Sequence, residues 1–406
     1  MTACIVLSLN TLIKQMKNTL FLLFTIILIL GGCHSEGSQQ RMTHIKKLEK
    51  QNKIALPIDE SFYFVSKSIF QFEENGKEYL FFENREKGLY DFVIFDLENS
   101  KIAKKIPIKR EGPDGVPAMM GSRPFPDSKT FLVFQHNISR ISLLNEKGQP
   151  IRNYKINIEG EFIELNLSSM ASWPTFSRDS VIYFSQCSKG RGKKVGYDKI
   201  PLFASLDLKT GKIDWPSLFF PTTFTGDYSH IKGDDGMSYD YNIKSNCLVC
   251  SFDRYDSIMV VTNDLKEIKW YNAKSGYLKS VKPNVDNHTN DIYGLIRYRE
   301  SAMYSHMIYD KYNNVYYRFA EMPCELAKDE TPYDYFAPKA REFSVIILND
   351  KFEIIGETKF PGNKYFYKMS FVGKDGLYIS ENNLANPEFD ENKLVFACFK
   401  IVDNNK

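Results

Sequence analysis

FVIFDLENSKIAKKIPI, residues Phe92–Ile108, decides the fold. An apolar run, Phe92–Phe95, ends at Asp96. Leu97–Ser100 supplies a tight turn, and a second run alternating Lys with apolar residues begins at Lys101. Apolar runs rich in β-branched and aromatic residues, bounded by Asp, Asn and Gly, read as strands; two across a short turn read as a hairpin. The pattern returns at 140–156 (RISLLNEKGQPIRNYKI), 202–215 (LFASLDLKTGKIDW), 257–271 (SIMVVTNDLKEIKWY) and 344–360 (SVIILNDKFEIIGETKF). A last copy, LVFACFKIVD at 394–403, stops at its turn residue.

The turn residues Asp96, Asn145, Asp207, Asn263, Asn349 and Asp403 recur about every 49–62 residues, with one interval of about 86. Repeats of roughly this length with four strands each are propeller blades. Flanking runs supply the missing strands, as SYDYNI (238–243) and CLVCSF (247–252) do before one hairpin and SHMIYDK (305–311) and NVYYRF (314–319) before the next. The expectation is an all-β chain, a six-bladed β-propeller of four-stranded antiparallel blades over 53–406. Seven blades is the alternative, and the long intervals are assigned to insertions at 276–300 and 324–341. The last blade lacks its outer strand, and an open edge invites aggregation. Lys53–Ile58 (KIALPI) resembles the outer strand KIAKKIPI and is expected to complete that blade, joining the two ends of the chain.

The N-terminal region reads differently. Met16-Lys17 precedes an apolar run, Thr19–Leu30, then Gly31-Gly32-Cys33. That is the layout of a secretory signal, too short to span a bilayer. Leu30–Cys33 resembles the bacterial lipobox, whose cysteine is diacylated and becomes the new N-terminus. Residues 1–32 are therefore expected to be a signal peptide with its true start at Met16. Lipidated Cys33 and a polar tether run to residue 52. His34 after the cysteine suggests outer-membrane sorting, so the expected address is the cell envelope.

Lys+Arg 53 against Asp+Glu 50 is near balance, which argues against a nucleic-acid partner; 24 Tyr and 31 Phe against 3 Trp favour strands. Of the 7 cysteines, those beyond Cys33 are odd in number and do not make a disulfide framework. Cys247-Leu-Val-Cys250 has the spacing of a metal or redox pair. In a strand, however, positions i and i+3 point to opposite faces, so these read as structural thiols.

Ligand loops of a propeller gather where each blade's outer strand passes to the next inner strand. Arg110-Glu-Gly-Pro-Asp-Gly-Val116 is the most unusual of these, since Gly-Pro and Asp-Gly impose two turns. Arg297, Tyr304 and His306 enter a later blade near the channel mouth, where a guanidinium beside aromatic rings suits a carboxylate, phosphate or sugar. Arg110, Arg297, Tyr304 and His306 are the candidate ligand-binding residues; an Arg–Glu network is the structural alternative. Gly233–Gly236 lacks the acidic spacing of a calcium loop and reads as a turn. Lys189–Lys194 does not match a phosphate-binding loop. His136 and His230 have no partner at ligand spacing.

No G-x-S-x-G elbow or H-E-x-x-H is present. Ala204–Trp215 matches one quinoprotein-type AxDxxTGxxxW repeat, and a single copy indicates a blade hairpin with Trp215 packed between sheets. No cofactor, metal site or catalytic residue is expected. The loop Arg110–Val116, with Ser238–Phe252 and Ile308–Phe319 (IYDKYNNVYYRF), resembles the propeller lipoproteins of Bacteroidetes-type bacteria grouped as domain of unknown function 4221, across roughly 53–403. The resemblance implies a cell-envelope lipoprotein and carries no catalytic residues. Two functions follow as expectations. The first is a lipid-anchored module binding a glycan, peptide or envelope protein. The second is an envelope polysaccharide lyase or hydrolase with Tyr304 and His306 as proton-transfer groups and Arg297 neutralising a carboxylate.

Overall fold

The computed structural model describes residues 45–404 apart from 67, 87, 113, 118, 120, 126, 128, 136–137, 157–162, 165–169, 186, 189–200, 220–235, 263–264, 280, 282–299 and 326–340. The segments assigned to signal peptide, Cys33 and most of the tether, and most of both insertions, lie outside these residues. So do Arg297, His136, His230 and Lys189–Lys194. Among the described residues the regular structure is strand, and no helix is long and apolar enough to cross a membrane.

Strand β1 is Lys46–Pro57. Four strands follow as one antiparallel sheet: β2 (Ile69–Glu74), β3 (Lys77–Glu86), β4 (Leu89–Asp96) and β5 (Lys101–Pro107). The next sheet is β6 (Gly121–Pro124), β7 (Phe131–Gln135), β8 (Arg140–Leu144) and β9 (Pro150–Lys155). After β10 (Ile163–Glu164) come β11 (Phe176–Arg178), β12 (Val181–Ser185), β13 (Cys187–Ser188), β14 (Phe203–Asp207) and β15 (Ile213–Asp214). Here β11-β12-β14-β15 form a third such sheet while β10 pairs with β13. A fourth holds β16 (Met237–Asn242), β17 (Cys247–Phe252), β18 (Ser257–Thr262) and β19 (Glu267–Asn272). The rest are β20 (Met303–Asp310), β21 (Val315–Glu321), β22 (Phe343–Leu348), β23 (Ile354–Phe360), β24 (Phe366–Gly373), β25 (Gly376–Ser380) and β26 (Lys393–Asp403). These join β1 in an 8-stranded sheet of order β20-β21-β22-β23-β1-β26-β25-β24.

Every hairpin read from the sequence falls on a third and fourth strand, from β4–β5 to β22–β23. The recurring turn residue has a physical cause, because its side-chain oxygen accepts a nearby backbone N–H and holds the turn. Asn99 N–H donates to Asp96 at 2.9 Å, Lys147 to Asn145 at 2.9 Å, Lys209 to Asp207 at 2.8 Å and Lys351 to Asn349 at 2.9 Å. In the last copy Asp403 instead takes the Lys46 ammonium at 2.6 Å.

That contact lies at one end of an antiparallel pairing of β1 with β26, running from Lys46↔Asp403 to Pro57↔Lys393 with a bulge between Lys50 and Lys53. The strand starts at Lys46, not Lys53, so the end of the expected tether is sheet. The extension is favourable because Leu48 is buried against Phe360 and Phe399, while exposed Glu49, Gln51 and Asn52 face away.

The strands are apolar on both faces because each sheet is covered on both sides. In β4, Phe92 and Ile94 pack with Phe131, Val133 and Leu144 of the next sheet. Val93 and Phe95, pointing the other way, pack with Leu56, Phe371, Leu394 and Phe396. Further clusters join the second sheet to the third, the third to the fourth, the fourth to β20–β23, and β20–β23 to β24–β26. Trp215 packs, half-buried, against the cluster between the second and third sheets, as expected. Cys247 and Cys250 sit in different clusters, on opposite faces of β17, and both are free thiols. Replacing fully buried Leu56 by Ala should cost about 2–5 kcal/mol. Urea denaturation of wild type and variant, compared at their midpoints, measures it.

Candidate functional site

Of the expected ligand residues, Tyr304 and His306 are not brought together. The Arg110 loop does form its two turns: Gly115 N–H donates to Gly112 O at 3.0 Å and Val116 N–H to Lys109 O at 2.8 Å. It drives Val116 into the core while Arg110 stays exposed, its guanidinium 4.8 Å from the Tyr90 ring centre. This is a blade connector with an arginine laid over it. Arg297 lies outside the described residues.

Tyr304 and His306 would share one face of a regular strand. Strand β20, however, carries a bulge between them: Tyr304 pairs with Ala320 and His306 with Phe319, leaving Ser305 as the extra residue. Bulges re-aim side chains in this way. Tyr304 packs with Val249 and Met307 in the cluster toward the fourth sheet, whereas His306 meets Phe319 edge-on at 5.6 Å, in the cluster toward β24–β26. Both are buried, so the expected channel-mouth pair does not form. With it goes the acid–base arrangement that the polysaccharide-enzyme reading required.

Each has a structural role instead. The Tyr304 hydroxyl donates to Asp256 Oδ1 at 2.8 Å and accepts the Ser275 N–H at 3.2 Å. Burial pushes that phenol well above its ordinary range. Its ring carries the buried Arg318 guanidinium, 3.4 Å from the centroid. Arg318 donates Nε to Ser251 Oγ at 2.9 Å, Nη1 to Asp256 O at 2.7 Å and Ala273 O at 2.8 Å, and Nη2 to Tyr255 O at 2.5 Å. It therefore satisfies backbone carbonyls of the turns at the strand ends of the fourth sheet from β21, a strand of the next sheet. Only a planar fork reaches all of these, so Arg318→Lys should lose about 3 kcal/mol of unfolding free energy despite keeping the charge, as read by calorimetry.

His306 is held neutral. Burial, then the Lys368 charge, pulls it down to about 4, with Glu321 acting in the opposite direction. Its Nδ1 has no hydrogen-bond partner among the described residues. Nearby, Glu321 pairs with Arg341 at 3.0 Å; burial raises its pKa, but Arg341 and Lys368 more than offset that and leave it lowered. The unfolded chain protonates His306 below pH 6.5 and the folded chain only near pH 4. Stability should therefore fall as pH drops through that window. His306→Gln should fall less, by up to about 3 kcal/mol, in denaturant titrations at pH 7 and pH 4.

The site that the structure does build lies at the other end of the inner strands. A cavity of about 370 Å³ is lined by residues of β2, β6, β11 and β16, the first strands of the four-stranded sheets, and of β20 and β24, the edge strands of the 8-stranded sheet. Ile243 and Lys311, from the turns after β16 and β20, also line it. Phe70, Phe125, Phe176, Tyr241 and Phe371 make much of the wall. Phe176 lies sandwiched between Tyr183, 5.0 Å away, and Tyr241, 4.7 Å away, in near-parallel stacks.

Two lining residues carry opposite charge. Arg123 donates Nη1 to Thr175 O, and its guanidinium is 4.9 Å from the Phe70 ring centre. Burial lowers its pKa to about 10, partly countered by Asp240, so it stays cationic at neutral pH. Asp240 accepts the Tyr309 N–H on Oδ2 and its neighbour Tyr241's N–H on Oδ1, each at 2.8 Å. Burial raises Asp240 to about 6, with those two hydrogen bonds and Arg123 acting in the opposite direction. At the rim, Lys311 is spent on Glu73 at 2.6 Å. Tyr312 reaches from the same turn to Glu73 at 2.7 Å and Glu78 at 3.2 Å.

Neither Arg123 nor Asp240 stands out in the sequence. Arg123 lies in a four-residue strand and Asp240 alternates with tyrosines, so only the convergence of inner strands marks them. Among the described residues no cluster of His, Cys, Asp and Glu could hold a metal ion.

Antiparallel four-stranded sheets packed face to face, with their first strands converging on one cavity, define a β-propeller. The chain belongs to the family described as domain of unknown function 4221 (DUF4221), which it matches over residues 46–359. It is similar to the crystal structure of a member of that family from Bacteroides vulgatus, at 56% identity over 89% of this chain and 99% of that one, with a TM-score of 0.84. A protein from Bacteroides fragilis shares the fold at 11% identity, over 88% of this chain and 96% of that one, with a TM-score of 0.50. No curated protein matches the chain.

Proposed function

We propose that the chain is a lipid-anchored, six-bladed propeller of the cell envelope that binds a small ligand in its central cavity. In this reading β1 is the outer strand of the last blade and closes the ring. The apolar cluster joining Phe371 and Phe396 to Leu80 and Phe95 supports that closure. The lipobox-like Leu30–Cys33 supports the anchor, with the diacylated cysteine holding the ring to the outer membrane. The observation that carries the binding role is the cavity itself. At about 370 Å³ it falls at the small end of ligand pockets, with apolar walls and a few polar groups that fix orientation. The glycan, peptide or envelope-protein partners expected from the sequence narrow here to a small molecule or a single terminal residue of a larger one.

The test uses the full-length protein extracted from bacterial membranes. Labelled palmitate should be incorporated into wild type and not into Cys33→Ala, which should leave the membrane fraction. Crystals soaked with fractionated envelope extract should show density between Phe176, Tyr241 and Arg123, and Ser177→Trp, which fills the cavity, should abolish it. Ligand retained by Ser177→Trp, or density only on the blade-connecting loops, would sink the cavity reading.

A further inference from the structure

Arg123 and Asp240 face one cavity, sense each other's charge, and are each bonded to backbone groups instead of to one another. Strand β11, with Phe176 and Ser177 on the cavity wall and Thr175 just before it, comes between their two strands in chain order. A charge in a confined apolar pocket is costly unless it is paired. The Thr175 carbonyl is a neutral acceptor, so it fixes the guanidinium without cancelling its charge. Two backbone N–H donors fix the Asp240 carboxylate in the same way. The remaining charged residue on the wall, Lys311, is already neutralised by Glu73. Among the described residues neither Arg123 nor Asp240 is held in an ion pair, so the cavity presents one cation and one anion, each felt by the other, beside a flat stack of aromatic rings.

We infer that the cavity selects a compact zwitterion with an apolar or aromatic body, of the free α-amino-acid kind, its carboxylate on Arg123 and its ammonium on Asp240. This rests on the cavity being the binding site. A lone anion would satisfy Arg123 and be repelled by Asp240; a lone cation would meet the reverse. A molecule carrying both charged groups on one carbon meets each side chain, while its body lies against Phe176 and Tyr241. An Arg–carboxylate contact is among the strongest charge-assisted pairings available to such a ligand. The charged groups facing Asp240 across the cavity are Arg123 on β6 and Lys311 after β20. Asp240 takes up a proton as pH falls through about 6 while Arg123, at about 10, stays cationic, so binding should weaken below about pH 6.

Titration calorimetry on the full-length protein should compare aromatic and aliphatic α-amino acids with the amines and the carboxylic acids obtained by deleting one charged group, and with the uncharged parent hydrocarbons or phenols. The zwitterion should bind roughly ten-fold or more tightly than either singly charged counterpart. Arg123→Met should erase its advantage over the amine and Asp240→Asn its advantage over the acid, while Asp240→Asn also removes the pH dependence. Equal affinity across a charge series that Ser177→Trp still blocks would overturn the zwitterion inference and leave the cavity reading standing. Heat from no member of the panel, in wild type and Ser177→Trp alike, would overturn both.

Discussion

The pairing of β1 with β26 is the interaction on which the remaining architecture rests. It joins residues near the start of the described chain to residues near its end, from Lys46↔Asp403 to Pro57↔Lys393. Without β1, one side of β26 would be an unpaired edge, open to other chains. The strand also feeds two apolar clusters at once: Leu48 packs with β20–β26, and Leu56 packs with β24–β26 and the first sheet. Its start runs so close to β23 that a Cβ on Gly356 would lie 2.2 Å from the Lys46 carbonyl oxygen. Such a contact exists only once the intervening chain is in place. Bringing distant segments together costs loop-closure entropy before any contact repays it, which makes this topology a slow, cooperative one to form.

Between the sheets, polar side chains fix angles that apolar packing leaves loose. Arg318 ties a strand of one group to carbonyls of the sheet before it, and Asn242 Nδ2 donates to Tyr316 Oη at 2.8 Å across the same gap. Glu357 accepts Ser275 Oγ and the Gly276 N–H nearby. Each is a directional contact in a buried place, where a broken partner costs more than the bond contributes. The central cavity is the counterpart of this rigidity. The inner strands are held in place by their neighbours, and Arg123 and Asp240 each bond backbone groups at the cavity wall instead of each other.

The sequence by itself determined the strand hairpins, because Asp96, Asn145, Asp207 and Asn349 each bond the turn directly after a third strand. It determined the separation of Cys247 from Cys250 by the two-residue alternation of a strand, and the strand that meets β26, by the likeness of KIALPI to another outer strand. Local chemistry suffices for such features. It did not determine the site. One extra residue at Ser305 sends Tyr304 and His306 into different cores, and no local signal announces a bulge. Arg123, Asp240 and Phe176 lie far apart along the chain in unremarkable strands, and become one cavity only through the convergence of strands from separate sheets. That convergence is a property of long-range packing, so tertiary structure alone decided where this cavity and its lining residues come together.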